Sequence, residues 1–334
     1  MSDYKTIKGR TIQSLASDVP TAFEGQVWYN TTSGAYKSVV GTAAWATGGN
    51  MVTPSAVSMG GAGIQTSAIV MATGASSSST YSYTDGTWTS SPSLASAQTL
   101  GSGAGASNTA AIYCGGYTGP PAYSVMTRVE EFSGTAWTTN PTSLNAARKG
   151  QGGAGLTTEA VWVAGGSAPV NAISSAETFN GATWTTSPGA MNTGRQYMAA
   201  AGSATAAVVA GGQVPPPYAT YDVTELFDGS TWTTANTLNQ TRKFPRGNGT
   251  QTAAAAYGGN SAPGPAYTIY NDTELWDGTS WATSVSMSTP RDQFGSAVTA
   301  TQMTALACGG ETPASTDATE ELGLVATVQT VTTS

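Results

Sequence analysis

The chain repeats one short pattern along most of its length, and this repeat constrains the fold more than any other feature. A complete copy runs from Thr224 to Thr234 and contains an acid, two bulky apolar residues, a tight turn and a tryptophan. The tryptophan recurs at steps of 43, 49, 47, 48 and 49 residues. It occupies Trp45, Trp88, Trp137, Trp184, Trp232 and Trp281. Periods of this length are typical of folds in which each repeat packs against its neighbours.

Turn signals and apolar runs divide each repeat into strands. A pair of turn residues precedes the last five tryptophans, at Asp85-Gly86, Ser133-Gly134, Asn180-Gly181, Asp228-Gly229 and Asp277-Gly278. Such pairs favour hairpins because they tolerate positive φ. A short apolar run ends at Gly115-Gly116, Gly165-Gly166, Gly211-Gly212, Gly258-Gly259 and Gly309-Gly310, and the first copy keeps one glycine, Gly74. Apolar runs of this length indicate strands buried on both faces.

Charged residues also recur with the repeat. A glutamate lies seven residues before four of the tryptophans, at Glu130, Glu177, Glu225 and Glu274, and Glu320 has the corresponding place in the last unit. An arginine follows four tryptophans by 10 or 11 residues, at Arg148, Arg195, Arg242 and Arg291. A residue that appears in most units serves the unit itself, and buried charges usually occur in pairs. We therefore predict structural Glu–Arg pairs between strands, in preference to acid–base catalysis.

Four strands per unit without any helical pattern predict an all-β fold. The order of arginine, apolar strand, Gly-Gly, long loop, acidic strand, turn and tryptophan resembles the kelch repeat of kelch and galactose-oxidase-like β-propellers. The resemblance covers about residues 36–325 and departs in the first unit, where Tyr81 replaces the glutamate and no arginine precedes the strand. Together with six apolar strands and six tryptophans, it predicts a six-bladed propeller. We expect the N- and C-terminal strands to close this propeller, because the last unit lacks a tryptophan and Trp45 belongs to no other unit. Seven blades are the alternative.

The predicted organisation has two parts. Residues 1–24 form an extended N-terminal arm, and residues 25–334 form the propeller. Within the propeller, residues 25–50 supply a hairpin and the closing strand, and residues 51–334 supply the repeats. Cys114 and Cys308 occupy equivalent places in different units, so we expect buried thiols rather than a disulfide, which needs Cα atoms within about 7 Å.

Composition excludes several functions. A net charge of −7 with 12 Lys+Arg leaves no basic face for nucleic acid or anionic membranes. No apolar run is long enough to insert into a membrane, and the N-terminus lacks a signal peptide, which predicts synthesis in a host cytoplasm. The chain has no histidine. This absence removes the commonest base and metal ligand, so we expect no cofactor, no metal site and no enzyme activity.

The loops after the Gly-Gly pairs differ most between units. Three of them combine proline with tyrosine, a composition that suits preorganised contacts with a protein or glycan. The candidate binding residues are Tyr117, Tyr123, Tyr218, Tyr221, Tyr267 and Tyr270. The alternative is that these residues merely pack the loops on one another.

A second resemblance concerns residues 24–34, which include Gly25-Gln26-Val27-Trp28-Tyr29-Asn30. This segment is similar to segments of bacteriophage tail-fibre and other virion proteins. It implies a virion protein whose arm contacts other virion proteins, whose propeller binds a host surface glycan or protein receptor, and which is oligomeric in the particle. A capsid decoration or head-fibre protein, a galactose-oxidase-like or sialidase-like enzyme acting on glycans, and a non-viral kelch adaptor are the alternatives. The sialidase resemblance is limited to Asp228–Trp232, which is one residue shorter than an Asp-box.

Overall fold

The computed structural model describes residues 12–17, 26–55, 60–119, 122–157, 160–168, 171–214, 218–261 and 267–331. These residues contain thirty β-strands and no helix, so the predicted all-β class is confirmed. The chain divides into two compact units, residues 45–323 and residues 1–44 together with 324–334. Most of the predicted arm, residues 1–24, lies outside the described residues.

The first three strands precede the repeats. They are β1 (Gln13–Leu15), β2 (Val27–Asn30) and β3 (Ala35–Thr47). β2 and β3 form an antiparallel hairpin around residues 31–34, because the side chain of Asn30 accepts the backbone N–H groups of Thr32 and Ser33 and closes the turn. β1 pairs with β2 in parallel.

Five four-stranded antiparallel sheets follow, one for each full repeat. Sheet 1 contains β4 (Gly60–Ile64), β5 (Ser67–Met71), β6 (Thr80–Thr84) and β7 (Thr87–Ser91). Sheet 2 contains β8 (Ser102–Ser107), β9 (Ala110–Cys114), β10 (Val129–Phe132) and β11 (Trp137–Thr139). Sheet 3 contains β12 (Gly152–Thr157), β13 (Ala160–Ala164), β16 (Ala176–Phe179) and β17 (Trp184–Thr186), with a small ribbon of β14 (Ser167–Ala168) and β15 (Asn171–Ala172) in its loop.

The later sheets have the same plan. Sheet 4 contains β18 (Ala199–Ser203), β19 (Ala206–Ala210), β22 (Thr224–Phe227) and β23 (Trp232–Ala235), with a ribbon of β20 (Gln213–Val214) and β21 (Ala219–Thr220). Sheet 5 contains β24 (Arg246–Thr250), β25 (Ala253–Tyr257), β26 (Thr273–Trp276) and β27 (Trp281–Thr283). Sheet 6 contains β28 (Gly295–Ser296), β29 (Leu306–Cys308) and β30 (Thr319–Thr330), followed in strand order by β3, β2 and β1. The strand that carries Trp45 therefore pairs with the C-terminal strand.

The first strand of each sheet is an edge strand that lies beside the first strand of the next sheet. The neighbouring pairs are β4 with β8, β8 with β12, β12 with β18, β18 with β24, β24 with β28, and β28 with β4. The backbones approach so closely that a Cβ on Gly61 would overlap the carbonyl oxygen of Ser296, and one on Gly103 would overlap the carbonyl oxygen of Gly61. Glycine is required here because neighbouring backbones occupy the space of a side chain.

The core lies between neighbouring sheets. One apolar cluster joins Ile69 of sheet 1 to Phe132 and Trp137 of sheet 2, and equivalent clusters lie between sheets 2 and 3, 3 and 4, and 4 and 5. A further cluster joins sheet 1 to Leu306 and Cys308 of sheet 6. Both cysteines are buried free thiols.

Candidate functional site

The ends of the first strands lie on one side of the 45–323 unit. A series of backbone hydrogen bonds runs from sheet to sheet, in which Gly150 donates to Leu100, Tyr197 to Gly150 and Phe244 to Tyr197, with N···O distances of 2.7–2.8 Å. On the same side, the residue that precedes each member of this series forms an isolated β-bridge with the first residue after a Gly-Gly pair. Lys149, for example, pairs with Ser167. We call this side, with the loops of residues 115–128, 165–175, 211–223, 258–272 and 309–318, the loop face.

Three of the six predicted tyrosines are the exposed aromatic residues of the described part of the loop face. The side chains of Tyr123, Tyr218 and Tyr267 are 60%, 52% and 48% exposed, on sheets 2, 4 and 5 respectively. Aromatic side chains are enriched among the residues that contribute most to binding at interfaces. These three residues are the candidate contact residues of the loop face.

The backbone is strained at two of the three positions. Tyr123 has a φ of 48° and Tyr218 a φ of 66°, in the left-handed region that non-glycine residues rarely adopt. Such a conformation costs about 1–2 kcal/mol and persists where the surrounding contacts enforce it, often at binding sites. The carbonyl of Tyr218 accepts a 3.0 Å hydrogen bond from the buried amide of Gln213, and the N–H of Tyr123 donates to Gly119.

Neighbouring side chains support the ring of Tyr123. It stacks on Tyr117 with 6.5 Å between ring centroids and 23° between planes. The ammonium of Lys149 lies 4.7 Å from the centroid of Tyr117, a cation–π contact. Tyr117 thus serves as a half-buried support, and Tyr123 presents its ring to solvent.

The hydroxyl of Tyr267 is fixed by a buried acid that the sequence did not single out. It donates to Oδ2 of Asp292 at 3.0 Å, and the amide of Asn260 donates to the same oxygen. Asp292 is fully buried, and its Oδ1 has no hydrogen-bond partner among the described residues. Burial raises the pKa of Asp292, although the hydrogen bonds from Asn260 and Tyr267 and the charge of Lys243 act against it. Asp292 follows Arg291 where Lys149, Gln196 and Lys243 follow the other arginines, and this departure from the repeat could have identified it.

Tyr221 and Tyr270 belong to the scaffold. Each donates its backbone N–H to the second glycine of its Gly-Gly pair, as Met126 and Ile173 do in other sheets. The ring of Tyr270 lies 5.3 Å from the guanidinium carbon of Arg242. Because Tyr221 and Tyr270 occupy a position that recurs between units, and Tyr270 covers a buried arginine, we assign both a packing role.

The repeated charges are joined in buried pairs. Nη2–Oε1 distances are 2.6 Å for Arg148–Glu177, 2.8 Å for Arg195–Glu225, 2.7 Å for Arg242–Glu274 and 2.7 Å for Arg291–Glu320. Burial lowers the pKa of Arg148 and Arg195 while their glutamates raise it. Nη1 of Arg148 also donates to the carbonyls of Gly165 and Ser175, which ties down the loop after Gly-Gly. The pairs hold the loops of the candidate site in place.

The first two units depart from this pairing. In sheet 2, Gln98 stands at the arginine position, and Glu130 accepts from Gln98 and from Arg128. In sheet 1, Ser55 stands at the arginine position and Tyr81 at the glutamate position, and the Tyr81 hydroxyl bonds Thr53 at 2.9 Å. Sheet 1 thus has neither the arginine nor the glutamate, because either charge would be costly if it were buried without its partner.

A narrow cavity lies between the first strands. Its volume is about 40 Å³, and glycine backbone together with Gln151 and Arg246 forms much of its wall. Such a volume holds roughly three water molecules and is too small for a sugar ring. A ligand as large as a sugar would therefore bind at the loops and not between the strands.

The described residues contain neither a cluster of metal-ligating side chains nor a helix that could span a membrane. No three of their Cys, Asp or Glu side chains are grouped so as to hold a metal ion. They also contain no helix of the length and apolar character that would span a membrane.

Solved structures of similar fold include the structure of YjhT. The structure of YjhT superposes with a TM-score of 0.67 at 13% sequence identity, over 84% of this chain and 99% of YjhT. The fold is β-propeller-like. At this identity the similarity concerns the fold alone. No family model and no curated protein sequence matches the chain.

Proposed function

We propose that the six sheets are the blades of a closed six-bladed propeller, with β3 completing the last blade. Three indole N–H groups support this arrangement, because each of the three donates to a threonine at the start of the third strand of the preceding sheet. Trp281 donates to Thr224 at 2.8 Å, Trp45 to Thr273 at 3.0 Å and Trp88 to Thr319 at 2.9 Å. Trp45 thus takes the place of the tryptophan that sheet 6 lacks, and Trp88 links sheet 1 to sheet 6.

We propose further that this propeller is a structural, receptor-binding protein of a bacteriophage particle, of the tail-fibre type, and that its loop face recognises a host surface glycan or protein. The supporting observation is the set of three half-exposed tyrosines held by buried partners on loops that differ between sheets. Fixed aromatic side chains lose little entropy on binding and suit both protein and glycan partners.

The location in a particle is supported by the resemblance of residues 24–34 to segments of virion proteins. In this proposal residues 1–24 contact other virion proteins and leave the loop face available. A decoration or head-fibre protein of the capsid would use the same arrangement. In either location the buried Arg–Glu pairs serve as scaffold, and recognition depends on residues that vary between sheets.

Binding of purified protein to host cells tests the receptor proposal. A triple variant with Tyr123→Asn, Tyr218→Asn and Tyr267→Asn is expected to weaken binding by about thirtyfold or more, since aromatic hot spots contribute roughly 2 kcal/mol or more. Asparagine is chosen because it tolerates the left-handed conformation at Tyr123 and Tyr218. Periodate treatment of the cells abolishes binding if the receptor is a glycan, and protease treatment abolishes it if the receptor is a protein.

The matched control is Tyr36→Asn, which removes an equally exposed tyrosine from the other unit. It is expected to bind as the original protein does. Unchanged binding by the triple variant, with an unchanged melting temperature, would show that the loop face is not the recognition surface.

Purified particles test the second part of the proposal. Mass spectrometry is expected to find the chain in the particle, and deletion of residues 1–24, which removes β1, is expected to prevent its incorporation without unfolding the 45–323 unit. Normal incorporation of the truncated chain would refute the role of the arm.

A further inference from the structure

The end of β30 and the start of β3 form a two-stranded antiparallel ribbon in the unit of residues 1–44 and 324–334. The backbone N–H of Val331 donates to the carbonyl of Tyr36 at 2.9 Å, and the hydroxyl of Thr42 donates to the carbonyl of Val325 at 3.2 Å. The hairpin partner β2 covers the outer edge of β3 from Ala35 to Ser38. The ribbon is thus covered on one side over part of its length.

Among the described residues of this unit, no strand lies beside the other edge of β30. β29 pairs with residues 319–321, and Leu322 donates once more to Ala305. Because backbone groups alternate between the two edges of an antiparallel strand, the odd-numbered residues face β3 and the even-numbered ones face away. The N–H and C=O groups of Leu324, Ala326, Val328 and Thr330 therefore point to an edge with no strand partner among the described residues.

This edge also lacks the features that keep exposed edges from pairing. Residues 322–334 contain no charged residue and no proline. Natural edge strands are protected by lysine, proline, bulges or short length, and a long apolar edge without them pairs with another strand. Several of its side chains are apolar and exposed as well: Leu324 and Val325 are 50% exposed, Val328 39% and Val331 43%. This edge of β30 therefore favours pairing with another strand.

A second copy of the chain is the partner that fits. Two identical strands can pair antiparallel about a two-fold axis, which closes the assembly after two copies. With Ala326 on the axis, Leu324 lies opposite Val328 of the second copy, an aliphatic cross-strand pair on an uncharged edge. Residues 1–11 are a poorer match, because Asp3, Lys5, Lys8 and Arg10 would have to be desolvated against an edge with no counter-charge.

We propose that the Leu324–Thr330 edge of β30 pairs antiparallel with the same edge of a second copy and makes the protein a two-fold symmetric dimer. This inference does not depend on the receptor or the particle, since it requires only the purified chain.

Light scattering coupled to size exclusion tests it. The full chain is expected to be a dimer that dissociates on dilution. Ala326→Lys and Ala326→Glu each place like charges directly opposite one another on the axis, and each is expected to weaken the dimer by about a hundredfold or more. A mixture of the two variants is expected to restore the dimer, because the charges are then opposite. Val285→Lys is the control, since Val285 is also exposed but lies in the loop after β27, outside the ribbon.

Each other outcome overturns the proposal. A full chain that stays monomeric at all soluble concentrations, or a trimer or larger assembly, is incompatible with two-fold edge pairing. A dimer that survives both Ala326 variants uses another surface. If deletion of residues 1–11 converts a monomer into a dimer, the edge is covered within one chain. Melting temperatures of all variants separate loss of pairing from loss of folding.

Discussion

Three of the repeated tryptophans donate to a residue of the preceding sheet. Trp281, Trp45 and Trp88 find a threonine hydroxyl there. Trp184 instead shares its cluster with Val129, and its Nε1 is buried without a hydrogen-bond partner among the described residues. An unpaired buried donor costs about 1–3 kcal/mol. The repeat is therefore incomplete at this position.

Val129→Thr is expected to stabilise the protein by about 1 kcal/mol, because the new hydroxyl accepts the indole N–H of Trp184 at nearly constant volume. The free energy of unfolding from denaturant titration measures it. In a Trp184→Phe background the same substitution has no donor to satisfy and should destabilise. An equal effect in both backgrounds would contradict the explanation.

Arg195→Met should lower the free energy of unfolding by about 3–5 kcal/mol, because it leaves Glu225 buried without its cation. Adding Glu225→Leu removes that charge, so the double variant should recover part of the loss. Thermal melting of the three proteins measures both effects. Receptor binding by whatever fraction remains folded is expected to be unchanged, and a specific loss of binding would point to a role beyond the scaffold.

Glu320 gives the protein a defined acid sensitivity. Burial raises the pKa of this carboxyl, but hydrogen bonds from Ser288 and the pair with Arg291 outweigh burial and leave the pKa below its ordinary value of 4.5. A depressed folded pKa adds stability above the ordinary value and loses it as the pH falls toward the folded one. Denaturant titrations across that range should show a smaller pH dependence for Glu320→Gln. An unchanged slope would mean that other carboxyl groups dominate.

Residue identities predicted the scaffold better than the site. Glu and Arg recur at fixed spacings, so their common role was visible in the sequence, and the structure places them in buried pairs. The exposure of Tyr123 compared with Tyr117 depends on how one loop folds back on itself. No spacing encodes that fold, and the same is true of the bond between Tyr267 and Asp292.

At the scale of the strand, glycine sets the distance between sheets. Gly103→Ala should cost about 1–3 kcal/mol or more, because its Cβ would overlap the carbonyl oxygen of Gly61 in the neighbouring strand. Gly323→Ala is the control, since a Cβ there meets no atom within 4 Å. It should be neutral or gain roughly 0.4–1 kcal/mol from the less flexible unfolded chain. Equal losses for the two would mean that close approach is not the reason.

Turn geometry was predictable in part. The Asp-Gly signals predicted hairpins correctly, but the hairpins are of two kinds. In sheet 1, Asp85 and Gly86 both have positive φ and form a two-residue turn. In sheet 4 the turn is longer, and the carboxylate of Asp228 accepts the N–H groups of Ser230 and Thr231. One extra residue between the glycine and the tryptophan separates the two kinds, and the sequence shows it.

At the scale of the molecule, Trp45 and Trp281 should both stabilise the fold although they come from opposite parts of the sequence. Trp45 packs on Tyr257 with ring centroids 5.3 Å apart and bonds Thr273. In denaturant titration Trp281→Ala should cost about 3–5 kcal/mol, and Trp45→Ala should cost less, because Trp45 is half-buried whereas Trp281 is buried. A neutral Trp45→Ala would show that this residue does not complete the last blade.

Trp45 made the pairing of the chain's two ends predictable. The last repeat has no tryptophan of its own, and the N-terminal segment contains one that belongs to no complete repeat. The ribbon beyond Leu322 was not predictable in the same way. It contains neither the turn nor the tryptophan of the repeat, and a strand with no repeat signature reveals its partner only in three dimensions.

Sheet 6 joins strands that the ribosome makes far apart in time. About 270 residues separate the end of β3 from the start of β30. At about 5–20 residues per second, β3 emerges roughly 15–55 seconds before β30 exists. Throughout that interval the edge of β3 that pairs with β30 has no strand beside it, in a cell full of other nascent chains. The rate of translation and the supply of chaperones should therefore determine how much of this protein reaches its folded form.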